Sequence, residues 1–243
     1  MEMNPGTASK EKCRALYQMG INRLSVGLQS TNDMELKTLG RIHSYEDFLN
    51  TYTWCREAGF QNINVDLMAA LPYQTVESYT TGLRKIIRLA PEHISAYSLI
   101  LEEGTPFYQK YNSGCYPLPD EEQERLMYRE TEQILAQAGY ERYEISNYAK
   151  PGFACRHNIG YWKRTDYLGF GPSAASLFGN RRWTNTADRS LYLKACRALE
   201  KIREDEEILS RQDAMEEFMF LGLRMTQGIS TAEFEEKFGK EIH

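Results

Sequence analysis

The chain reads as an α/β protein built on parallel strands, and three observations predict that class. Strand-like runs recur at Asn22 to Ser30, Asn62 to Leu67 and His93 to Leu99. Segments of helix length separate them, which is the spacing of a parallel α/β sheet or barrel. In the first run Leu24, Val26 and Leu28 alternate with Ser25, Gly27 and Gln29, a period of two that no helix fits. In such a fold the polar residue closing each strand faces a shared mouth, and here that residue is Gln29.

Each element has a local reason. Met1 to Met3 reads as a strand end, because Asn4-Pro5-Gly6 is a turn signal and Thr7 is suited to cap the next helix. That helix carries Cys13, Leu16 and Tyr17 on one face and stops at Gly20. Ser44 with Asp47 forms a capping box, opening a helix with Tyr45, Phe48, Tyr52 and Cys55 as its stripe and Gly59 as its stop. Thr75 caps a helix with Val76, Tyr79, Leu83, Ile86, Ile87 and Ala90 on one face, ended by Pro91. Beyond Leu101 the rhythm changes. Gly104-Thr105-Pro106 is a turn, Tyr111 to Pro119 reads as loop, and Asp120 caps a long helix with Met127, Thr131, Ile134, Leu135 and Ala138 inward. A strand at Tyr140 to Ile145 leads into a polar, aromatic stretch from Ser146 to Lys163. Gly169 to Ser176 is a glycine-rich turn, and helices follow around Ser190 to Glu204, Ser210 to Met225 and from Thr231. The change of rhythm divides the chain into a β/α core over 1–138 and a mostly helical region over 139–243.

Composition narrows the function. Its 243 residues suffice for one large domain or one and a half. A formal net charge of -5 argues against a general nucleic-acid binder, which needs a basic face. The final helices resemble a helix-turn-helix around Thr226-Gln227-Gly228, but the acidic balance disfavours DNA. No apolar run approaches the roughly 20 residues that span a bilayer. The N-terminus has neither the basic nor the apolar region of a signal peptide, so a cytoplasmic location is expected. The five cysteines, Cys13, Cys55, Cys115, Cys155 and Cys196, lie too far apart in sequence for a zinc or redox motif and read as reduced thiols.

Two polar constellations could carry chemistry. Glu2, Gln29, Arg41 and Asp66 lie at or just after strand ends. Each alone reads as a cap or surface pair. Around one mouth, together, they could hold a zwitterion, with arginine gripping a carboxylate and the acids accepting from an ammonium or ribose hydroxyls. In Cys155-Arg156-His157-Asn158-Ile159-Gly160-Tyr161-Trp162, a helix would put His157 and Tyr161 on one face with Trp162 beside them. That is either a packed histidine in an aromatic core or an axial ligand for haem. Gly169 to Ser176 lacks the third glycine of a dinucleotide fingerprint and reads as a packing turn.

Taken together, Glu2-Met3-Asn4-Pro5-Gly6, Asn22 to Ser30, Leu39-Gly40-Arg41-Ile42-His43, Asn64-Val65-Asp66-Leu67 with Leu71-Pro72, His157 to Trp162 and Leu168 to Ala174 resemble a known family. These are the radical S-adenosylmethionine (SAM) proteins related to oxygen-independent coproporphyrinogen III oxidase, and within them the haem-chaperone branch called HemW. The resemblance runs over nearly the whole chain. It implies a partial (β/α)6-type open barrel of parallel strands, and SAM contacts at Glu2, Gln29, Arg41 and Asp66, with Ile100 and Ala175 lining the same site. It implies haem binding through His157, Asn158, Tyr161 and Trp162, haem-accepting proteins as partners, and porphyrinogen decarboxylation as the alternative activity. Ala175 departs from the histidine often found there. The family's [4Fe-4S] cluster is held by a Cys-x-x-x-Cys-x-x-Cys motif that this sequence lacks, so the expectation is a fragment whose parent carries the cluster, with no metal ligand and no assigned catalytic residue here. A barrel lacking its first strands presents an unpaired edge, which favours a homodimer or aggregation.

Overall fold

The computed structural model describes residues 1–195 and 197–239, so Cys196 lies outside the described residues. It forms two compact units, Met1–Ala154 and Cys155–His243.

The first unit runs β1 (Glu2–Met3), a 3₁₀ turn at Pro5–Thr7, α1 (Lys10–Gln18), β2 (Leu24–Gln29), α2 (Asp33–Thr38), α3 (Tyr45–Ala58), β3 (Ile63–Ala69), α4 (Val76–Arg88), β4 (His93–Ser98), α5 (Pro106–Asn112), α6 (Glu121–Gln137), β5 (Glu141–Arg142) and β6 (Asn147–Ala149). The strands form one sheet in the order β1-β2-β3-β4-β6-β5, with β1 to β4 parallel and β6 and β5 antiparallel.

The period of two divides the sheet chemically. Leu24, Val26 and Leu28 of β2, Ile63, Val65 and Leu67 of β3, and Ile94 of β4 are all nearly inaccessible and belong to one core with Cys13, Phe48, Cys55, Leu83, Ile86, Met127 and Leu135 from the helices. Each such side chain contributes about 1.5–3 kcal/mol by leaving water. The alternate residues of the same strands are polar: Ser25 and Gln29, Asn64 and Asp66, then His93, Ser95 and Tyr97. Parallel sheets are ordinarily apolar on both faces. This one spends its second face on hydrogen-bonding groups.

Of the helix starts read from the sequence, those at Ser44, Thr75 and Asp120 are observed, and the one at Thr7 is not. Ser44–Asp47, Thr75–Ser78 and Asp120–Gln123 are reciprocal capping boxes. Thr7, however, sits inside the 3₁₀ turn, and Ser9 caps α1 by accepting from the Lys12 N–H. Thr105 caps α5, a short helix that begins in the predicted turn and runs into the first residues of the predicted loop.

The second unit comprises α7 (Arg156–Trp162), β7 (Ala175–Phe178), β8 (Arg181–Asn185), α8 (Arg189–Ala195), a 3₁₀ turn at Leu199–Lys201, β9 (Arg203–Ile208), α9 (Arg211–Gly222) and α10 (Thr231–Phe238). Its strands form an antiparallel sheet, β7-β8-β9. The helix expected through Glu204 is seen over Arg189–Ala195, and residues from Arg203 onward join the sheet instead. Phe218, Phe234 and Phe238 pack ring against ring between α9 and α10, with centroids 4.9 to 5.9 Å apart.

Candidate functional site

Register places the polar residues of the first unit side by side. Glu2 lies opposite Ser25, Ser25 opposite Asn64, and Asn64 opposite His93. One step towards the strand ends, Gly27 lies opposite Asp66, and Asp66 opposite Ser95. Asp66 is the centre of this face. Its carboxylate accepts from the Asn64 amide at 2.7 Å and the Ser25 hydroxyl at 3.2 Å. Burial pushes its pKa up, hydrogen bonds from Asn64, Ser95 and Ser25 pull it back, and the Glu2 carboxylate adds to the rise. A group in this position gains most from a cation or a pair of hydroxyls.

Gln29 closes β2 after a register shift, with only 4% of its surface exposed and a positive φ of 74°. The Tyr97 hydroxyl donates to its Oε1 at 2.7 Å, which leaves its amide N–H groups pointing elsewhere. A Cβ on Gly27 would lie 3.2 Å from Gln29 Nε2 and 3.5 Å from Asn4 Oδ1, so the bare glycine keeps the space between them open. Arg41 follows α2 and reaches back to Asn4 Oδ1 at 3.4 Å. Glu2 is exposed on β1. The structure thus gathers Glu2, Gln29, Arg41 and Asp66 onto or beside the polar face. Ile100, just beyond β4, is 80% exposed. Ala175 belongs to the second unit, as the exposed first residue of β7.

Sequence reasoning passed over Asn64, His93, Ser95, Tyr97 and Tyr143. A signal was present: His93, Ser95 and Tyr97 repeat at a period of two within a single strand. His93 is fully buried, with Nδ1 2.6 Å from Asn64 Oδ1 and Nε2 2.8 Å from the Tyr143 hydroxyl.

These groups suit SAM. Arg41 can grip its carboxylate, while Asp66, Glu2 and Gln29 offer acceptors or amide donors to its ammonium, sulfonium and ribose diol. They do not suit an iron-sulfur cluster. Among the described residues no group of three or more His, Cys, Asp or Glu side chains could hold a metal ion. Cys13 and Cys55 lie 3.6 Å apart in the helix-covered core, where burial pushes the Cys55 thiol up.

In the second unit, α7 displays His157 to solvent. Its ring meets Tyr161 edge-on at 4.6 Å, and Tyr161 meets Tyr167 at 4.7 Å. Asn158 accepts from the Cys155 thiol at 3.5 Å. Trp162 turns to another side of the helix, where the Arg224 guanidinium covers its ring at 4.4 Å. It lines a cavity of about 300 Å³ with Phe218, Met225 and Ile229. Behind α7, Glu217 binds Arg164 at 2.6 Å and Arg182 at 2.5 Å. Two N–H groups of the glycine-rich loop are held within the unit: Gly169 donates to Ser176 Oγ and Gly171 to the Tyr192 hydroxyl, both at 2.9 Å. That is a packing turn.

The sequence profile of the radical SAM superfamily matches residues 1–86, and that of the HemN C-terminal domain matches residues 209–243. The haem chaperone HemW of Lactococcus lactis is 39% identical, covering 98% of this chain and 62% of its own length. HemW of Bacillus subtilis is 38% identical, covering 100% and 64%. The chain thus spans less than two thirds of the length of these relatives. The solved structure of coproporphyrinogen III oxidase (HemN) from Escherichia coli has the same fold, with a TM-score of 0.82 at 22% identity over 98% of this chain and 58% of that one. The chain thus matches the radical SAM profile at one end and the HemN C-terminal profile at the other, and over nearly its whole length it is similar to relatives named as haem chaperones.

Proposed function

We propose that this chain serves a haem chaperone, with residues 1–138 binding SAM and residues 139–243 carrying haem for delivery to acceptor proteins. The observation that carries the reading is the exposed imidazole of His157 held edge-on by Tyr161, an axial ligand presented on a short helix. The relatives named as haem chaperones support it over a porphyrinogen oxidase, since the likeness to HemN is one of fold. Bound SAM supplies a sulfonium whose cleavage needs an iron cluster. What this chain contributes is the grip: Asp66 and Glu2 for positive charge and hydroxyls, Arg41 for the carboxylate, Gln29 for polar edges.

The proposal includes a cytoplasmic location and a homodimer, the latter open to sedimentation analysis. Among the described residues no helix is long and apolar enough to cross a membrane. The deciding experiment is a haem titration of the intact protein with His157→Ala as control. A saturable Soret shift in wild type that the variant loses is expected, whereas identical curves would overturn the reading. Vinyl-bearing product from coproporphyrinogen III under anaerobic conditions would establish the oxidase instead.

A further inference from the structure

We infer that His93 is a positioning residue for Asp66, holding the Asn64 amide in the orientation that turns its N–H groups to the carboxylate. The consequence for ligand binding rests on the reading of Asp66 as a SAM contact; the hydrogen-bond order does not.

Donor and acceptor chemistry fixes the order of these bonds. An ionised carboxylate only accepts, so the Asn64 group 2.7 Å from Asp66 Oδ1 is its NH₂. The second N–H of that amide donates to Ser25 Oγ at 2.7 Å, and the Ser25 hydroxyl in turn donates a hydrogen bond to Asp66 at 3.2 Å. Asn64 Oδ1 must then face β4. There Ser95 Oγ lies within hydrogen-bond reach at 3.1 Å and His93 Nδ1 at 2.6 Å. A carbonyl oxygen has no proton to give, so Nδ1 carries it. Nε2 is left bare to accept from the Tyr143 hydroxyl at 2.8 Å. The order Tyr143 to His93 to Asn64 to Asp66 has one direction throughout.

His93 is the member that sets this direction. The Ser95 hydroxyl can donate or accept, so it does not distinguish the two ends of an amide. The imidazole does so as its Nδ1–H tautomer, the one left when the Tyr143 hydroxyl donates to Nε2. Its neutrality follows from its surroundings: it is fully buried, and Arg23 opposes a second positive charge. Remove the ring and the amide loses the donor that opposes its turning, so a protonated Asp66 can donate to the turned Asn64 carbonyl and the carboxyl holds its proton to higher pH. The other groups bearing on Asp66 are Glu2 from β1, Ser25 from β2, and Ser95 and Tyr97 from β4, with Arg41 acting on Tyr97.

The test follows the carboxyl carbon of Asp66 by ¹³C NMR in the intact protein, assigned by loss of the signal in Asp66→Asn. In His93→Phe the titration midpoint is expected to rise by about one unit, the worth of one lost charge-assisted hydrogen bond. His93→Gln, whose amide can donate and accept, is expected to restore it. Long-range ¹H–¹⁵N spectra of the wild type are expected to show the neutral Nδ1–H tautomer. SAM affinity is expected to fall about tenfold in His93→Phe and to recover in His93→Gln. An unmoved midpoint in folded His93→Phe, or an Nε2–H tautomer in the wild type, overturns the inference. Should His93→Phe not fold, the tautomer and a Tyr143→Phe titration decide alone, because losing the donor to Nε2 must disturb Nδ1 and, through Asn64, Asp66. A shifted midpoint with unchanged SAM affinity upholds the positioning role and removes Asp66 from the SAM contacts.

Discussion

Gly27→Ala separates binding from folding at the polar face. The backbone at Gly27 does not have a positive φ, and no neighbour of its added Cβ comes closer than 3.2 Å. Alanine within a strand is favoured over glycine by about 0.5–1 kcal/mol, because less backbone entropy is lost on folding. For a chain of this size that is a rise of about 1–4 °C in melting temperature. The cost falls on the ligand side. The methyl group would press on Gln29 Nε2 and narrow the gap to Asn4 Oδ1, so the Gln29 amide must shift by a few tenths of an ångström. That shift strains the 2.7 Å hydrogen bond from Tyr97. Losing one neutral hydrogen bond costs about 1 kcal/mol, or about fivefold in affinity. Calorimetric titration of SAM into the intact protein, paired with thermal melts, is the assay. A variant that melts several degrees lower while binding SAM as before would show that Gly27 serves the fold and would refute the reasoning.

Three other perturbations test the frame around the site. Glu92→Ala strips Arg56 of a bidentate partner at 2.9 and 3.0 Å and leaves the Ile63 N–H unpaired. The expected loss is about 3 kcal/mol, seen in denaturant titration as a lower midpoint at unchanged slope. Burial, with Arg23 adding to it, lowers the His93 pKa from 6.5 to about 3. The unfolded chain therefore takes up a proton that the folded one refuses, and stability falls as pH drops from about 6.5 towards 3, by at most about 1.4 kcal/mol per unit. His93→Gln should flatten that part of the profile in urea melts, and an unchanged slope would show that His93 does not titrate with unfolding. Peptide mapping after brief alkylation of the native protein should find exposed Cys115 modified, with Cys13 and Cys55 protected in the core. Rapid labelling of Cys55 would mean that α1 and α3 open readily.

The sheet was legible because its apolar half repeats cleanly. Leu24, Val26 and Leu28 announce β2 within a residue or two of its observed ends, and the capping pairs at Ser44, Thr75 and Asp120 mark three helices. What failed to show was structure without an apolar signal. β9 is Arg-Glu-Asp-Glu-Glu-Ile, an edge strand with nearly all its side chains exposed. Its charges suit a solvated helix face as well as an edge, and only pairing with β8 decides between them. The site divided in the same way. Glu2, Gln29, Arg41 and Asp66 stood out as polar residues at strand ends, whereas Asn64 and His93 sit mid-strand, where a polar side chain has meaning only once its neighbours across the sheet are known. In the α7 motif, helical spacing rightly paired His157 with Tyr161, but the side Trp162 takes depends on Arg224, far along the chain.

Gln29 is held in a left-handed backbone conformation with a φ of 74°, which a residue with a side chain adopts at a cost of order 1–3 kcal/mol. Glycine would relieve that strain and asparagine would reduce it, yet the first removes the amide that Tyr97 positions and the second draws it back by one methylene. Melting temperature and ligand grip therefore pull this residue in opposite directions. A variant library ranked on heat resistance alone would tend to drift away from glutamine here, and would improve as a scaffold while it emptied as a receptor.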